Sequence, residues 1–551
     1  MNLLICFYTF MTALFTALII VPFLRKWALD QGTLDIPGER AQHTEPMPTL
    51  GGIAIFFSFL LVVLVYVPVT PAIRGFLVGG LIVFVTGLVD DLTNLSPKRK
   101  FAGEVVACLA MIVVGKIWLT NLGDLFGFGD IILPVWIGIP FTIFAVVGVI
   151  NAINLIDGLD GLAGGLSVMA LSAFFLLGWI TDDQQTALLA AALAGGILGF
   201  LKYNFYPARI FMGDAGSLTV GYILGFLAVY TTQQPNATIS PMIPILILGL
   251  PVFDTVWVMS RRVLQGVGPF TADRSHMHHK FLDLGFEHRF TVIIIYSLML
   301  FWISLALLFR TAPESILLFS LLGSAAMFYL CLRYMLRHQA QFTFLSRDSA
   351  SSIRNSVTYL RIAALMDQLI PGLLPLLVSY LLLALWSIVS HNVLSWKIAL
   401  ILLAVGLYLW YRPLNESRSF LMLVLYVVFG MASVEVCNAD DVVFAGFSIK
   451  RCGDILLAVA ALIVIFKLQF RRIGELFLST ADYLALTVCV FLAIAVQQNI
   501  FDFNLNATLL RTLVAILAVR TLCSNSAHYY RLLAMSSFMF LAFAAVFGFA
   551  A

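Results

Sequence analysis

Charge is scarce in this chain: Asp, Glu, Lys and Arg make up 11% of its residues, against roughly a quarter in an ordinary soluble domain. With 61% hydrophobic residues and a mean hydropathy of +1.00, a soluble globular protein is excluded. Basic excess is missing too. A formal net charge of +3 leaves no electrostatic footprint for nucleic acid. Cysteine is sparse and unpatterned. The seven cysteines form no CxxC, which removes the common zinc and dithiol motifs, and most lie in apolar runs as small hydrophobes. Cys437 and Cys452 differ, because they flank the loop VCNADDVVFAGFSIKRC, where an oxidising compartment permits a disulfide.

What the chain has in quantity is apolar runs of bilayer-spanning length. They fall near 3–23, 50–69, 74–89, 101–119, 131–150, 162–180, 187–203, 217–232, 241–259, 291–310 and 314–334. Further runs lie near 368–390, 393–411, 418–434, 453–470, 478–497, 507–522 and 532–551. The expected fold is all-α, a polytopic transmembrane helical bundle of about 11 spans followed by about 7 more. The first run continues into Arg25 and Lys26 and reads as a retained span. Between the two sets lies a polar stretch, His338 to Arg361, too charged to span. The expected organisation is a membrane domain over 1–337, a polar linker over 338–365, and an additional multi-span region over 366–551 that carries no motif.

An N-terminus outside puts Arg25/Lys26, Lys98/Arg99/Lys100, Lys202/Arg209, Arg261/Arg262 and Arg333/Arg337 on one side. The positive-inside rule assigns that side to the cytoplasm. The polar motifs of the first half fall on the same side, which argues for one site. They are Asp90-Asp91 in GLVDDLTNLSPKRKF, the segment NAINLIDGLDGLAGG, Asp214 in FMGDAGS, and the loop GPFTADRSHMHHKFLDLGF.

Each motif suits phosphate or metal chemistry. Adjacent carboxylates such as Asp90-Asp91 do not both ionise comfortably without a cation or base nearby. Lys98 and Lys100 follow, able to hold phosphate oxygens or simply to anchor the chain. Asn154, Asp157 and Asp160, spaced three apart, are expected on one helical face, with glycines at 158, 161, 164 and 165 allowing close approach. Asp214 sits between glycines where backbone can approach a pyrophosphate. It suits Mg²⁺, which takes a few carboxylates plus substrate phosphate oxygens. Asn204 and Phe211 are expected near it. Asp273, Arg274, His276, His278 and His279 crowd one loop. Zinc is the rival there, but the arginines favour an anionic ligand.

In this order, with the entry segment HTEPMPTLGGI from His43, the motifs resemble the bacterial polyprenyl-phosphate N-acetylhexosamine-1-phosphate transferases of glycosyltransferase family 4. The resemblance covers about residues 1–335 and is nearest the subgroup that uses UDP-N-acetylglucosamine or a close relative, a transferase of a different UDP-sugar being the alternative. It implies a phosphoglycosyl transferase of the cytoplasmic (inner) membrane with its active site facing the cytoplasm, placing N-acetylhexosamine 1-phosphate from a UDP-sugar on undecaprenyl phosphate. UMP is released, at the start of O-antigen, common-antigen or teichoic-acid-type synthesis. It further implies Mg²⁺ as cofactor, with Mn²⁺ as a substitute. Asp214 and Asp91 would hold the metal, and Asp90 or Asp91 would assist the attacking phosphate. His43, Lys98, Lys100, Asn154, Asp157, Asp160, Asn204, Phe211, Arg274, His276, His278 and His279 would hold substrates. Membrane lipid, a second copy of the chain and downstream glycosyltransferases are partners compatible with it. The competing class is a transporter or flippase of lipid-linked sugars. That class disperses polar residues through the middle of several helices, whereas here they cluster on one side.

Overall fold

The computed structural model describes residues 3–32, 34–35, 46–234, 237–268, 276–338, 368–391, 396–411, 414–439, 442–444, 447–470, 505–525 and 527–550. The chain divides into two compact units, Met1–Ser346 and Arg347–Ala551. It is a multi-pass membrane protein. Ten helices among the described residues are long and apolar enough to cross a bilayer.

In the first unit the helices are α1 (Leu3–Gln31), α2 (Gly51–Tyr66), α3 (Pro71–Thr93), α4 (Pro97–Gly115), α5 (Val135–Ile156), α6 (Leu162–Ile180) and α7 (Gln184–Asn204). They continue as α8 (Gly213–Gln233), α9 (Met242–Ile247), α10 (Gly249–Leu264), α11 (Met277–Asp283), α12 (His288–Leu308) and α13 (Glu314–Arg337). A short antiparallel pair, β1 (Leu34–Asp35) and β2 (Met47–Pro48), joins α1 to α2 with Leu34 opposite Pro48.

α7 and α8 are the most deeply buried. α1, α2 and α6 pack on α7, and α2, α3 and α5 pack on α8. The head of α8 is built from small residues, so backbones approach closely, as small residues permit between membrane helices. A Cβ on Gly52 would collide with the backbone of Gly216, and one on Gly87 would lie 2.6 Å from Ala215 Cα. This close crossing brings the acidic end of α3 to the start of α8.

The run at 241–259 is not one span. It is split at Leu248 into α9 and α10, because Pro251 has no N–H to offer the carbonyl four residues back. The triad expected on one helical face is likewise divided. α5 ends at Ile156, Asp157 caps it, and Gly161 at φ +77° opens α6, so Asp157 and Asp160 stand on the intervening turn.

The second unit contains helices Leu373–His391, Trp396–Trp410, Leu414–Asn438, Ile449–Phe470, Leu505–Asn525 and Ala527–Ala550. The run expected at 478–497 lies outside the described residues. Cys452 is a free thiol; the side chain of Cys437, the other end of the expected bridge, lies outside the described residues. Between the two positions the chain turns through a hairpin that pairs Val443 with Ser448.

Candidate active site

The C-terminal ends of α3, α5 and α7, the N-terminal ends of α8 and α12, α11 and the β1–β2 pair line one cleft of about 1290 Å³. Asp90, Asp91, Asn154, Asp157, Asp160, Asn204, Phe211, Asp214, Ser217, His279 and His288 are among its lining residues.

Carboxylates of its wall hold an ammonium. Lys100 Nζ lies 2.7 Å from Asp214 Oδ1 and 3.1 Å from Asp90 Oδ2. Asn154 completes the group: its Nδ2 donates to Asp214 Oδ1 at 2.5 Å and to Ser217 Oγ at 2.8 Å. Pro97 starts α4, which places Lys100 on its first turn. Lys98, two residues earlier, lies on another side of the helix and is exposed, whereas Lys100 is half-buried.

The two acids of the α3 pair do different work. Asp90 is buried, and its Oδ1 accepts the N–H of Leu95 at 2.7 Å. Asp91 accepts the N–H of Asp214 at 2.7 Å and that of Ala215 at 3.0 Å, one on each oxygen. It thereby caps α8, a favourable place for a carboxylate. Gly213, at φ +71°, permits this approach, since a Cβ there would lie 2.8 Å from Asp91 Oδ2. From the other side the FMGD segment is fixed by backbone. Phe211 N–H donates to Pro48 O at 2.7 Å, and the amides of Gly51 and Gly52 donate to Phe211 O at 3.0 Å and Met212 O at 2.8 Å.

Asp157 lies on the cleft wall, where its carboxyl is pushed up to about 7. Burial is the main cause, and the negative charges of Asp214, Asp160 and Asp91 add to it. Asp160 accepts the N–H of Ala208 at 2.9 Å. Asn204 is engaged with backbone at both polar ends, accepting from Gly161 N at 3.0 Å and donating to Ile210 O at 2.9 Å. It ties the glycine turn to the FMGD segment.

Of the three histidines, His279 alone lines the cleft. His278 is buried, with its ring 4.2 Å from that of His279 between centroids. Burial, and then the neighbouring His279, His276 and His288, holds His278 well below the ordinary imidazole range. His276 is buried and bonded to Asp254 at 2.8 Å. His43 and Arg274 lie outside the described residues.

Three contributors escape a motif-based reading. Asp254 of α10 is 1% exposed. Glu104 is 1% exposed and accepts from Asn151 Nδ2 at 2.6 Å. Ser217 steadies Asn154. Asp254 and Glu104 each stand as a lone acid within an apolar run, a signal that marks membrane sites in general.

The fold and this cleft define an integral-membrane protein with a carboxylate–lysine site at one end of its bundle. A family model described as glycosyl transferase family 4 matches residues 73–232. A probable undecaprenyl-phosphate N-acetylglucosaminyl 1-phosphate transferase of Bacillus subtilis strain 168 is 36% identical over 292 residues, covering 52% of this chain and 80% of that protein. A decaprenyl-phosphate N-acetylglucosaminephosphotransferase of Mycolicibacterium smegmatis is 32% identical, covering 51% and 77%. The undecaprenyl-phosphate alpha-N-acetylglucosaminyl 1-phosphate transferase of Escherichia coli K12 is 32% identical, with the same shares, 51% and 77%. The chain belongs to glycosyl transferase family 4.

Proposed function

We propose that the chain transfers an N-acetylhexosamine 1-phosphate, N-acetylglucosamine 1-phosphate first among them, from its UDP-sugar to undecaprenyl phosphate with release of UMP. The reaction would open the synthesis of a cell-surface polysaccharide of O-antigen, common-antigen or teichoic-acid type, at the cytoplasmic face of the inner membrane. The observation that carries this reading is the Lys100 ammonium between Asp90 and Asp214, at the mouth of α8. The names of the relatives support the substrates, and the cleft of about 1290 Å³ exceeds the usual single-ligand pocket of roughly 300–1,000 Å³.

Phosphoryl transfer needs positioning and charge neutralisation more than covalent help. The acceptor's phosphate oxygen attacks the sugar-bearing phosphorus of the donor, and the bond to the bridging oxygen of UMP breaks. A phosphate monoester has its second pKa near 6 and is largely ionised at neutral pH, so Asp90 orients Lys100 rather than acting as an obligatory base. Lys100 neutralises the phosphates that meet beside it. Asp91 and Asn154 fix Asp214 from its backbone and side chain.

The donor set fits a hard divalent cation. Asp157 and Asp214 offer carboxylate oxygens on one cleft, and a cation there would favour the ionised form of the Asp157 carboxyl, which burial disfavours. Among the described residues no three acidic, histidine or cysteine side chains close on one point; a Mg²⁺ ion on two carboxylates would complete its shell with water and substrate phosphates. Asp214 with Asp157 would hold Mg²⁺ or Mn²⁺, which would neutralise pyrophosphate charge; Asp91, bonded to two amides, serves as their frame. The test is turnover by the purified chain with undecaprenyl phosphate, Mg²⁺ and a panel of UDP-sugars. UMP from UDP-N-acetylglucosamine is expected. Turnover of the muramyl-pentapeptide donor alone would overturn the donor assignment.

A further inference from the structure

Asp254 lies on α10, and the motifs of the cleft do not include it. Its carboxylate is 1% exposed and gathers donors from three elements. His276 Nδ1 is 2.8 Å from Oδ2, while the Met277 N–H donates to Oδ1 at 3.0 Å and the Tyr329 hydroxyl to the same oxygen at 3.3 Å. Met277 is the first residue of α11, so one acid holds both the side chain that precedes the helix and its first amide. A carboxylate only accepts, so Nδ1 of His276 carries the hydrogen. The other ring nitrogen, Nε2, is buried and makes no hydrogen bond.

The anchored helix reaches the cleft on its far side. The rings of His276 and His278 lie parallel within 8°, with centroids 6.0 Å apart, and His279 follows on the cleft wall. His278 is seated on the turn that carries Asp157: a Cβ on Gly158 would lie 2.5 Å from His278 Nε2. The order of contact is therefore Asp254, then His276 and Met277, then His278 against Gly158, then the cleft.

We infer that Asp254 is a positioning residue that seats α11 against the Asp157–Gly158 turn, and through it sets affinity for the anionic nucleotide-sugar donor. The inference rests on the donor assignment above. Asp254→Asn, nearly isosteric, replaces one acceptor oxygen by a donor and leaves the N–H groups of His276 and Met277 competing for the other. His276→Gln breaks the same bond from the partner side and serves if Asp254→Asn does not accumulate.

Two readouts separate the anchor from the donor. In the full chain without substrate, hydrogen exchange of the 277–283 amides should accelerate at least tenfold in either variant. In steady-state kinetics, KM for UDP-N-acetylglucosamine should rise at least tenfold, with kcat and KM for undecaprenyl phosphate within threefold of the parent. Unchanged exchange in α11, or a parallel loss in kcat and both KM values, overturns the inference. If the parent protein turns over no UDP-sugar, the donor assignment fails, and the exchange experiment alone judges the anchor.

Discussion

Lys100→Met removes the cation at the centre of the site while keeping most of the side-chain volume. At 2.7 and 3.1 Å from the two carboxylates, each attraction is about 5–6 kcal/mol gross at an effective dielectric of 20. Desolvation offsets much of this. Removing one partner from a buried pair costs about 3–5 kcal/mol. Here the side chains of Lys100, Asp90 and Asp214 keep 17%, 10% and 31% exposure. Solvent screening therefore lowers the expected loss of stability to about 2 kcal/mol. Catalysis should suffer more, because the neutralising group is lost where phosphate charge accumulates. A fall of at least a hundredfold in kcat/KM, about 2.7 kcal/mol, is expected. Asp90 and Asp214 would then face each other without an ammonium, so Mg²⁺ should raise the unfolding midpoint of the variant more than that of the parent. The assay pairs thermal unfolding in detergent, with and without Mg²⁺, with transfer from UDP-N-acetylglucosamine. Activity above a tenth of the parent, or an unchanged midpoint without Mg²⁺, would refute the argument.

Gly213→Ala should lose at least tenfold in activity and about 1–2 kcal/mol from the left-handed backbone alone, since its Cβ also meets the Asp91 carboxylate; wild-type kinetics would contradict the Asp91 clamp. Asp182→Asn, in the turn between α6 and α7, should change transfer by less than twofold, and a larger loss would show that function extends beyond the cleft. His278 is held below its unfolded-state value of about 6.5, so the unfolded state binds its proton more readily. Stability linked to it is present above about pH 6.5 and lost as pH falls, by up to about 1.4 kcal/mol per pH unit. Hydrogen exchange should show 277–283 losing protection at pH 5.5 relative to 7.5, beyond the intrinsic rate change; equal protection would mean that His278 is not the linked group. A membrane-impermeant maleimide should label Cys452 in intact cells without prior reduction, Cys452→Ser being the control; labelling only after permeabilisation would place its loop in the cytoplasm.

Spans were legible because a membrane helix satisfies its own backbone and needs only length and apolarity. The eleven runs of the first half coincide with helices, and only 241–259 is broken. The break had a local cause in Pro251, visible in the sequence but outweighed by hydropathy. Which residue of a pair meets which partner was less legible. Lys98 and Lys100, or Asp90 and Asp91, differ only by rotation about a helix, and that rotation is set by contacts with α8 more than a hundred residues away. Asn154, Asp157 and Asp160 do meet in one cleft, though by a helix end and a turn, because glycines stop the helix between them. Asp254 was silent because its partners, His276 and Tyr329, come from distant segments.

The proposed transfer moves the β-phosphate of the donor together with the sugar. UDP-N-acetylglucosamine carrying ³²P in its β-phosphate, incubated with the purified chain, undecaprenyl phosphate and Mg²⁺, distinguishes transfer of a sugar phosphate from transfer of a sugar alone. Label is expected in the lipid phase and unlabelled UMP in water, with both lost in Asp214→Asn. Label appearing as UDP in water, with unlabelled sugar on the lipid, would contradict it.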